Sequence, residues 1–441
     1  MTTPIAAVVM AGGLGTRMRS ATPKHLHALL GRRMVDWVIL AAQEAGADRL
    51  VVVTSPETRD AFAGIEVAVQ EQPLGTGDAV RSARTLLDGA TGDVLVLNGD
   101  VPALRADVIR ALIDTHRAAG AAGTVLSFEP VDVRSYGRIV RDGDGRLARI
   151  VEAGDATPGE LALGEVNSGI YVFRAEKLWP ALERLKPHNV QGELYVTDTL
   201  GFLVADGDPV AVHMAPNPVE AEGINTRAEL AAAGAFLRDR INDAHMLAGA
   251  TIVDPATTWI EPTVELEADT VIHPFTVLRG STRVEAGAEV GPHVVAVDAL
   301  IGSNVTVGPF CYLRPGTQLR TGAKAGAFVE IKNATVGERA KVPHLSYIGD
   351  ADIGEGSNIG AGAITANFPH RPDEPKGRTT IGRNVRTGVH NAFRAPVEIG
   401  DDSWIAAGSV ITDDVPPGSL AGFPPRQETK DGYVYEQRND D

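Results

Sequence analysis

The 441-residue chain predicts two domains of different class joined by a helix: an α/β domain with a parallel or mixed sheet, then an all-β solenoid. Three observations carry this. Aliphatic residues recur at every sixth position over residues 260–411. Before residue 223, short aliphatic runs alternate with helical patterns. Between the two lies 226–247, rich in Ala and Leu with interspersed charge, holding one Gly and no Pro, which reads as a single linking helix.

In the first part, residues 5–10, 50–53, 94–97, 124–128, 166–173 and 210–214 read as strands, and 34–44, 76–87 and 107–119 as helices. Such alternation sets helices on both faces of the sheet, and ligands of such folds bind at the carboxyl ends of the strands. In the last part Ile260, Leu266, Ile272, Leu278, Val284, Val290 and Ala296 are six apart, and after single-residue deletions the rhythm resumes at Ile301, Val336 and Ile353. Neither the helical period nor strand alternation fits six. A hexapeptide repeat does, with one short strand, one corner and one inward aliphatic side chain per unit. Residues 366–380, rich in Pro and charge, are too long for a corner and predict a loop thrown out of the coil before the rhythm returns from Ile381 to Ile411. The flat outer faces of a solenoid suit a symmetric trimer.

The net charge of −16, without a long basic run, excludes a general binder of nucleic acid or of an anionic membrane. The single cysteine, Cys311, can form no internal disulfide and points to a reducing compartment, the cytoplasm. The apolar run 5–11 follows no Lys or Arg and ends in Gly12-Gly13, unlike a signal peptide. No stretch approaches the ~18 apolar residues of a membrane span.

Directly after the first strand comes Gly12-Gly13-Leu14-Gly15-Thr16-Arg17-Met18, followed by Pro23-Lys24. Glycines there let the backbone approach a phosphate with its N–H groups, and Arg17 and Lys24 add fixed positive charge. No Gly-Lys-Ser/Thr makes it a Walker loop, and Met18 stands where a dinucleotide fingerprint has its third glycine. Asp36 does stand at about the distance of a ribose-binding acid, which keeps a dinucleotide as the alternative. Gln70 and Leu74-Gly75-Thr76-Gly77 lie between a strand and a helix. Asn98-Gly99-Asp100 follows the strand 94–97, where an Asp can hold a divalent cation such as Mg²⁺ together with phosphate oxygens and waters. The solenoid carries a second polar set: Arg314, then Glu330 and Lys332, then Lys341, His344 and Tyr347, then Asn358, each about one coil apart and able to stack along one face.

Residues 12–24 with Gln70, Gly75-Thr76 and Gly99-Asp100 resemble the sugar-1-phosphate nucleotidylyltransferases, and the repeat resembles the left-handed parallel β-helix of the hexapeptide acyltransferases. Nearly the whole chain is similar to the bacterial bifunctional N-acetylglucosamine-1-phosphate uridyltransferase / glucosamine-1-phosphate N-acetyltransferase family, which makes UDP-N-acetylglucosamine for the cell envelope. The resemblance implies an α/β Rossmann-like nucleotidyltransferase domain at 1–225, a helical linker at 226–248 and an all-β left-handed parallel β-helix acetyltransferase domain at 249–441. It implies that Ala11, Gly12, Gly13, Gln70 and Gly99 contact the nucleotide, with Gly75 and Thr76 closing on uracil. Arg17 and Lys24 would act on the triphosphate, and Asp100 and Asn225 would hold Mg²⁺. Gly137, Glu152 and Asn167 would hold the amino sugar. In the second domain Arg314, Lys332, Tyr347 and Asn358 would bind glucosamine-1-phosphate, His344 would be the general base, and Ala361, Asn367, Phe368, Val389, Ala407 and Arg426 would meet acetyl-CoA.

The implied chemistry suits these residue types. An anionic sugar phosphate attacking the α-phosphorus of UTP needs no base, only positive charge to bring two polyanions together. An ammonium that must lose a proton before attacking a thioester does need one, and imidazole, with an ordinary pKa near 6.5, suits it. The chain departs from the family at Asn367-Phe368-Pro369-His370, where Asn-Tyr-Asp-Gly is common. About three extra residues then precede Arg378, where Lys is frequent, and Val389 replaces a frequent serine. These departures keep a monofunctional sugar-1-phosphate nucleotidylyltransferase, its β-helix serving assembly or regulation, as the alternative. A non-catalytic scaffold is opposed by Lys24, Asp100 and Asn225 standing together.

Overall fold

A computed structural model of the chain describes residues 3–13, 15–89, 92–133, 135–369, 371, 373–422, 427–431 and 433–434. The chain divides into two compact units, 1–237 and 238–441, the boundary falling within the helix Arg227–Leu247.

The first unit is built on a mixed sheet with strand order Val210–Met214, Gly123–Phe128, Val166–Arg174, Asp93–Asn98, Ile5–Ala11, Arg49–Thr54, Glu66–Val69. Only Val166–Arg174 runs against its two neighbours in that order. The central strands read as unbroken aliphatic runs because both of their faces are covered. Val9, Leu95 and Leu97 face one core, closed by Val35 and Val38 of helix Met34–Glu44 and by Ile109 and Leu112 of helix Ala106–Ala118. Val8, Val94 and Val96 face the other, closed by Val80 of Thr76–Ser82, Leu178 of Ala175–Leu182 and Leu200 of Thr197–Ala205. Each such side chain contributes about 1.5–3 kcal/mol on burial. The helix expected over 76–87 stops at Ser82 and continues as a 3-10 turn, Arg84–Leu87. Ser82 Oγ donates to the Asp78 carbonyl at 2.9 Å, a local bond that competes with helix continuation.

The second unit is a left-handed parallel β-helix whose short strands stack in parallel on three faces. One coil takes 18 residues (Val271 pairs with Glu289) or 17 (Glu289 pairs with Thr306), and the single-residue deletions in the hexad rhythm are the difference. Of the keyed residues only Leu266 stays partly exposed; even Thr365 and Thr387 point inward. At one corner Phe275, His293, Phe310, Phe328 and Leu345 all adopt left-handed backbone, φ 50–60°. Their stacking offsets that strain: the four rings are near-parallel with centroids 4.8, 4.7 and 5.0 Å apart, leaving an exposed apolar ridge. The predicted excursion is present. Strands Ile364–Ala366 and Thr379–Ile381 bracket it, and pairing resumes at once with Ala351 opposite Thr379.

Candidate active sites

In the first unit a cavity of about 240 Å³ opens at the carboxyl ends of Ile5–Ala11 and Asp93–Asn98. Its lining includes Ala11, Gly12, Gly13, Lys24, Gln70, Gly75, Thr76, Gly99 and Asp100, all named from the sequence. Short loops set these positions. Gly15 has φ 64°, and a Cβ there would meet Lys24 Cβ, so only glycine lets the turn close and bring Lys24 back over the strand end. Gly75 has φ 117°, and a Cβ would lie 2.5 Å from the Leu194 carbonyl oxygen. Gly77 N–H donates to that carbonyl (2.7 Å) and Val196 N–H donates to Thr76 Oγ1 (3.0 Å), which fixes the loop. Buried Gln70 donates from Nε2 to the Gly75 carbonyl (3.1 Å) and to Asp78 Oδ2 (2.9 Å), tying strand to loop. A larger cleft of about 630 Å³, around Asp93, His116 and Arg117 at the opposite strand ends, contains none of the sequence-predicted residues.

The residues expected to hold the amino sugar form a group of their own. Asn167 N–H donates to the Gly137 carbonyl at 2.8 Å, and Gly137 lies against the Glu152 carboxylate. Burial pushes the Glu152 carboxyl up, and Asp198, Asp155 and Glu193 push the same way against one hydrogen bond from Thr197. A half-buried carboxylate short of donors is suited to receive the hydroxyls of a sugar. Asn98 Nδ2 donates to the Ser168 carbonyl at 3.3 Å, joining this group to the strand that ends at Asp100.

Asp100 and Asn225 are brought together by one backbone bond between their loops: Ile224 N–H donates to the Asp100 carbonyl at 2.9 Å. The helix Arg227–Leu247 is capped by Thr226, whose Oγ1 accepts from Glu229 N–H. The Glu229 carboxylate accepts in return from Thr226 and, at 2.6 Å, from Asn225. The capping box thus anchors Asn225. Lys24 Nζ donates to Asp100 Oδ2 and, at 3.1 Å, to Asn225 Oδ1, which also accepts from Arg17 Nη2 at 2.9 Å. Two oxygens of the expected metal pair therefore converge on one point, and a cationic group stands on it. The donor set fits a hard divalent cation that draws its remaining ligands from phosphate and water. Among the described residues no group of three His, Cys, Asp or Glu side chains could hold a metal alone.

One neighbour was not legible from sequence. His25, beside Lys24, is buried in the cavity wall, stacks on Phe62 at 6.0 Å between centroids, and has its pKa lowered to about 4, by burial first and then by Lys24. Its placement next to Lys24, on a two-residue spacing from His27, was the signal the sequence offered.

In the second unit the predicted residues form two columns rather than one stack. Arg314, Lys332 and Gly349 lie in register on successive coils. Arg314 Nη1 donates to Glu330 Oε1 at 2.9 Å. The Tyr347 hydroxyl folds over Gly349, beside the Asn367 amide. Asn333 and Asn367 donate to Asp350, and although burial alone would raise its carboxyl, these amides with Lys376 and Lys332 hold it low. The second column runs through His344, Ala361, Val389 and Ala407, where Gly362, His390 and Gly408 donate to the carbonyls of His344, Ala361 and Val389. His344 is exposed, and among the described residues its ring has no hydrogen-bond partner. Asn358 bridges Lys341 and Arg386 on the same face as His344. Four residues, with the left-handed corner at Leu345 among them, separate His344 from Gly349, so the two columns lie on adjacent faces of the β-helix.

The loop 367–378 brings in a residue that sequence reasoning passed over. Lys376 lies against Lys332, and its contact and charge lower the Lys332 pKa. It also stands 5.8 Å from the exposed Phe368 ring. Arg378, by contrast, is held bidentate by Asp352 at 2.6 Å for both bonds, so the cation beside Lys332 is Lys376 rather than Arg378. The extra loop residues had hidden which cation faces the site. Arg426 lies outside the described residues.

The MobA-like NTP transferase domain model matches residues 7–198. The hexapeptide repeat of succinyl-transferase matches residues 378–413. Similar curated proteins, each named bifunctional protein GlmU, include that of Streptomyces coelicolor, 45% identical over 99% of this chain and 95% of its own. That of Streptomyces avermitilis is 46% identical over the same shares, and that of Geobacter metallireducens is 44% identical over 99% of both chains.

Proposed function

Because this chain belongs to the family of bifunctional GlmU proteins, we propose how its two units divide two consecutive transfers on one amino-sugar phosphate. The enzyme acetylates glucosamine-1-phosphate from acetyl-CoA and then joins the N-acetylated product to the uridylyl group of UTP, releasing pyrophosphate. The second unit carries the first transfer and the first unit the second.

In uridylyl transfer a phosphate oxygen of N-acetylglucosamine-1-phosphate attacks the α-phosphorus of UTP, and the bond to the pyrophosphate oxygen breaks. Gly12, Gly13, Gln70 and the Gly75-Thr76 loop hold the nucleotide, while Gly137, Glu152 and Asn167 hold the sugar. Lys24 and Arg17 offset the negative charge gathered between them. The family's nucleotidyl transfer is metal-dependent. We assign the ion as Mg²⁺ on Asp100 and Asn225, where it would supply further positive charge at the phosphates. The observation that carries this reading is the convergence of Asp100, Asn225, Lys24 and Arg17 on one point beside the glycine-lined cavity.

In acetyl transfer His344 takes a proton from the glucosamine ammonium. The freed amine attacks the thioester carbonyl, the C–S bond breaks as the amide forms, and the second nitrogen proton ends on the departing CoA thiolate, giving free thiol. Arg314, Lys332 and Lys376 hold the sugar phosphate with Tyr347 and Asn358, and Ala361, Asn367, Phe368, Val389 and Ala407 line the approach of acetyl-CoA. A homotrimer is supported by the exposed apolar ridge from Phe275 to Leu345 and by the separation of the two columns within one chain. No helix among the described residues is long and apolar enough to cross a membrane, which with the lone, buried thiol supports a cytoplasmic enzyme.

Two assays on one preparation test the division. Thiol release from acetyl-CoA with glucosamine-1-phosphate should fall about 10²–10⁴-fold in His344→Ala, while pyrophosphate formation is kept. Asp100→Ala should show the reverse pattern. Pyrophosphate formation with no thiol release in the unaltered chain would instead leave a monofunctional nucleotidylyltransferase.

A further inference from the structure

Lys24 and Arg17 do more in this chain than wait for phosphate. The Lys24 ammonium bonds both oxygens of the Asp100–Asn225 pair, and the Arg17 guanidinium takes a second lone pair of Asn225 Oδ1. An ammonium and a divalent ion that need the same two oxygens cannot hold them together. The Lys24–Asp100 pair is also well sheltered, with side chains 16% and 20% exposed, so solvent screens it weakly. We propose that Lys24, aided by Arg17, is a built-in plug of the metal position: the nucleotide-free enzyme excludes divalent cations there, and the triphosphate opens the position by drawing both cations onto its own oxygens.

The proposal rests on reading Asp100 and Asn225 as the metal pair. Its physical basis is an exchange of partners. Without nucleotide, an incoming ion displaces two cationic contacts and gains one carboxylate and one amide oxygen, too few protein ligands for a hard cation. With nucleotide, the displaced Lys24 and Arg17 find phosphate oxygens, and the same phosphates complete the ion's shell. The pairing also keeps Asp100 from standing as a lone sheltered carboxylate and stores Lys24 within reach of the phosphate loop, since the Gly15 turn is closed on its Cβ. Binding is thereby ordered, with nucleotide or nucleotide–metal complex before free metal.

The test is Mn²⁺ binding to the full-length, nucleotide-free chain, followed by electron paramagnetic resonance of free Mn²⁺. The unaltered chain should bind weakly. Lys24→Met should tighten binding about tenfold or more, a gain of about 1.4 kcal/mol. Arg17→Met should tighten it less, and Lys24→Arg, which keeps a cation on the pair, should leave it weak. Arg227→Met serves as the field control, because Arg227 reaches the Met18 carbonyl rather than the metal pair. Unchanged Mn²⁺ affinity in Lys24→Met, or an equal gain in Arg227→Met, would overturn the plug. A separate arm tests the metal pair itself. If Asp100→Ala still binds Mn²⁺ in the presence of UTP as the unaltered chain does, the metal assignment fails. If it does not, and Lys24→Met is also inert, only the plug fails.

Discussion

The two units solve the same electrostatic problem, holding a sugar phosphate on an acidic protein, in opposite ways. In the first, the cations Arg17 and Lys24 are quenched by Asp100 and Asn225. In the second, Lys332 and Lys376 press against each other, and the Lys332 pKa falls in consequence. The difference follows from what each must bind. A site for a triphosphate and a divalent ion needs both signs of charge, and here the cations rest on the two oxygens proposed for the metal. A site for a single phosphate without a metal can hold its cations against each other, ready for the anion to relieve the repulsion. The scaffolds differ in step. The first site is assembled from loops at several strand ends, each turn fixed by its own local bonds. The second is written into columns of a repeat, so one coil's integrity decides several site residues at once.

The strongest way to break this contrast is to remove one coil's core. Phe393 is fully buried at a keyed position, in register between Thr365 and Ile411. Its neighbour in that stack, Thr365, spends its hydroxyl on the Gly349 carbonyl. Phe393→Ala should cost the β-helix about 3–5 kcal/mol in urea unfolding. Acetyl transfer should be lost at temperatures where pyrophosphate formation persists. Equal loss of both activities would show that the two sites do not depend on separate scaffolds.

The repeat was legible because each inward side chain is set by backbone geometry alone; Leu266, on the first strand of its face, is the one keyed residue left partly exposed. The α/β sheet was legible in its aliphatic strands. The hairpin Arg138–Arg141 with Leu147–Val151 was not, since the buried Arg138 and the exposed Arg141 and Arg149 break up its aliphatic pattern. The helices Ala175–Leu182 and Thr197–Ala205 were also missed, the first interrupted by Pro180. Of the sites, the glycine loops and Asp100 could be read because turn chemistry is local. That Lys24 stands on the Asp100–Asn225 pair, or that Lys376 rather than Arg378 faces Lys332, depends on partners far along the chain, which spacing does not encode.

A middle-sized effect is expected at Glu152, the carboxylate that neither scaffold quenches. Its pKa is raised in the folded chain, by burial before the neighbouring acids. Folding therefore takes up a proton between the ordinary carboxylate range and the raised value, and stability falls as pH rises through that window. Glu152→Gln removes the charge that is costly to bury. Its Tm should exceed that of the unaltered chain near pH 7 and converge with it below the carboxylate range. The KM for N-acetylglucosamine-1-phosphate should rise about tenfold, as loss of a charged hydrogen-bond acceptor predicts. A Tm difference independent of pH would remove Glu152 from the comparison.

The smallest effects separate the two cations of the excursion. Lys376→Ala should raise the KM for glucosamine-1-phosphate several-fold and let Lys332 titrate closer to an ordinary lysine. The sign follows from the contact: Lys376 favours the neutral form of Lys332, so without it Lys332 stays charged to higher pH, and the alkaline rise in KM should move upward. Arg378→Ala should leave KM and its pH profile alone. The exposed Arg378–Asp352 pair contributes at most about 1 kcal/mol, seen as a slight fall in Tm. If Arg378→Ala moved KM while Lys376→Ala did not, the facing of like charges would not be what makes the second site receptive to phosphate, and the contrast with the first unit would lose its physical basis.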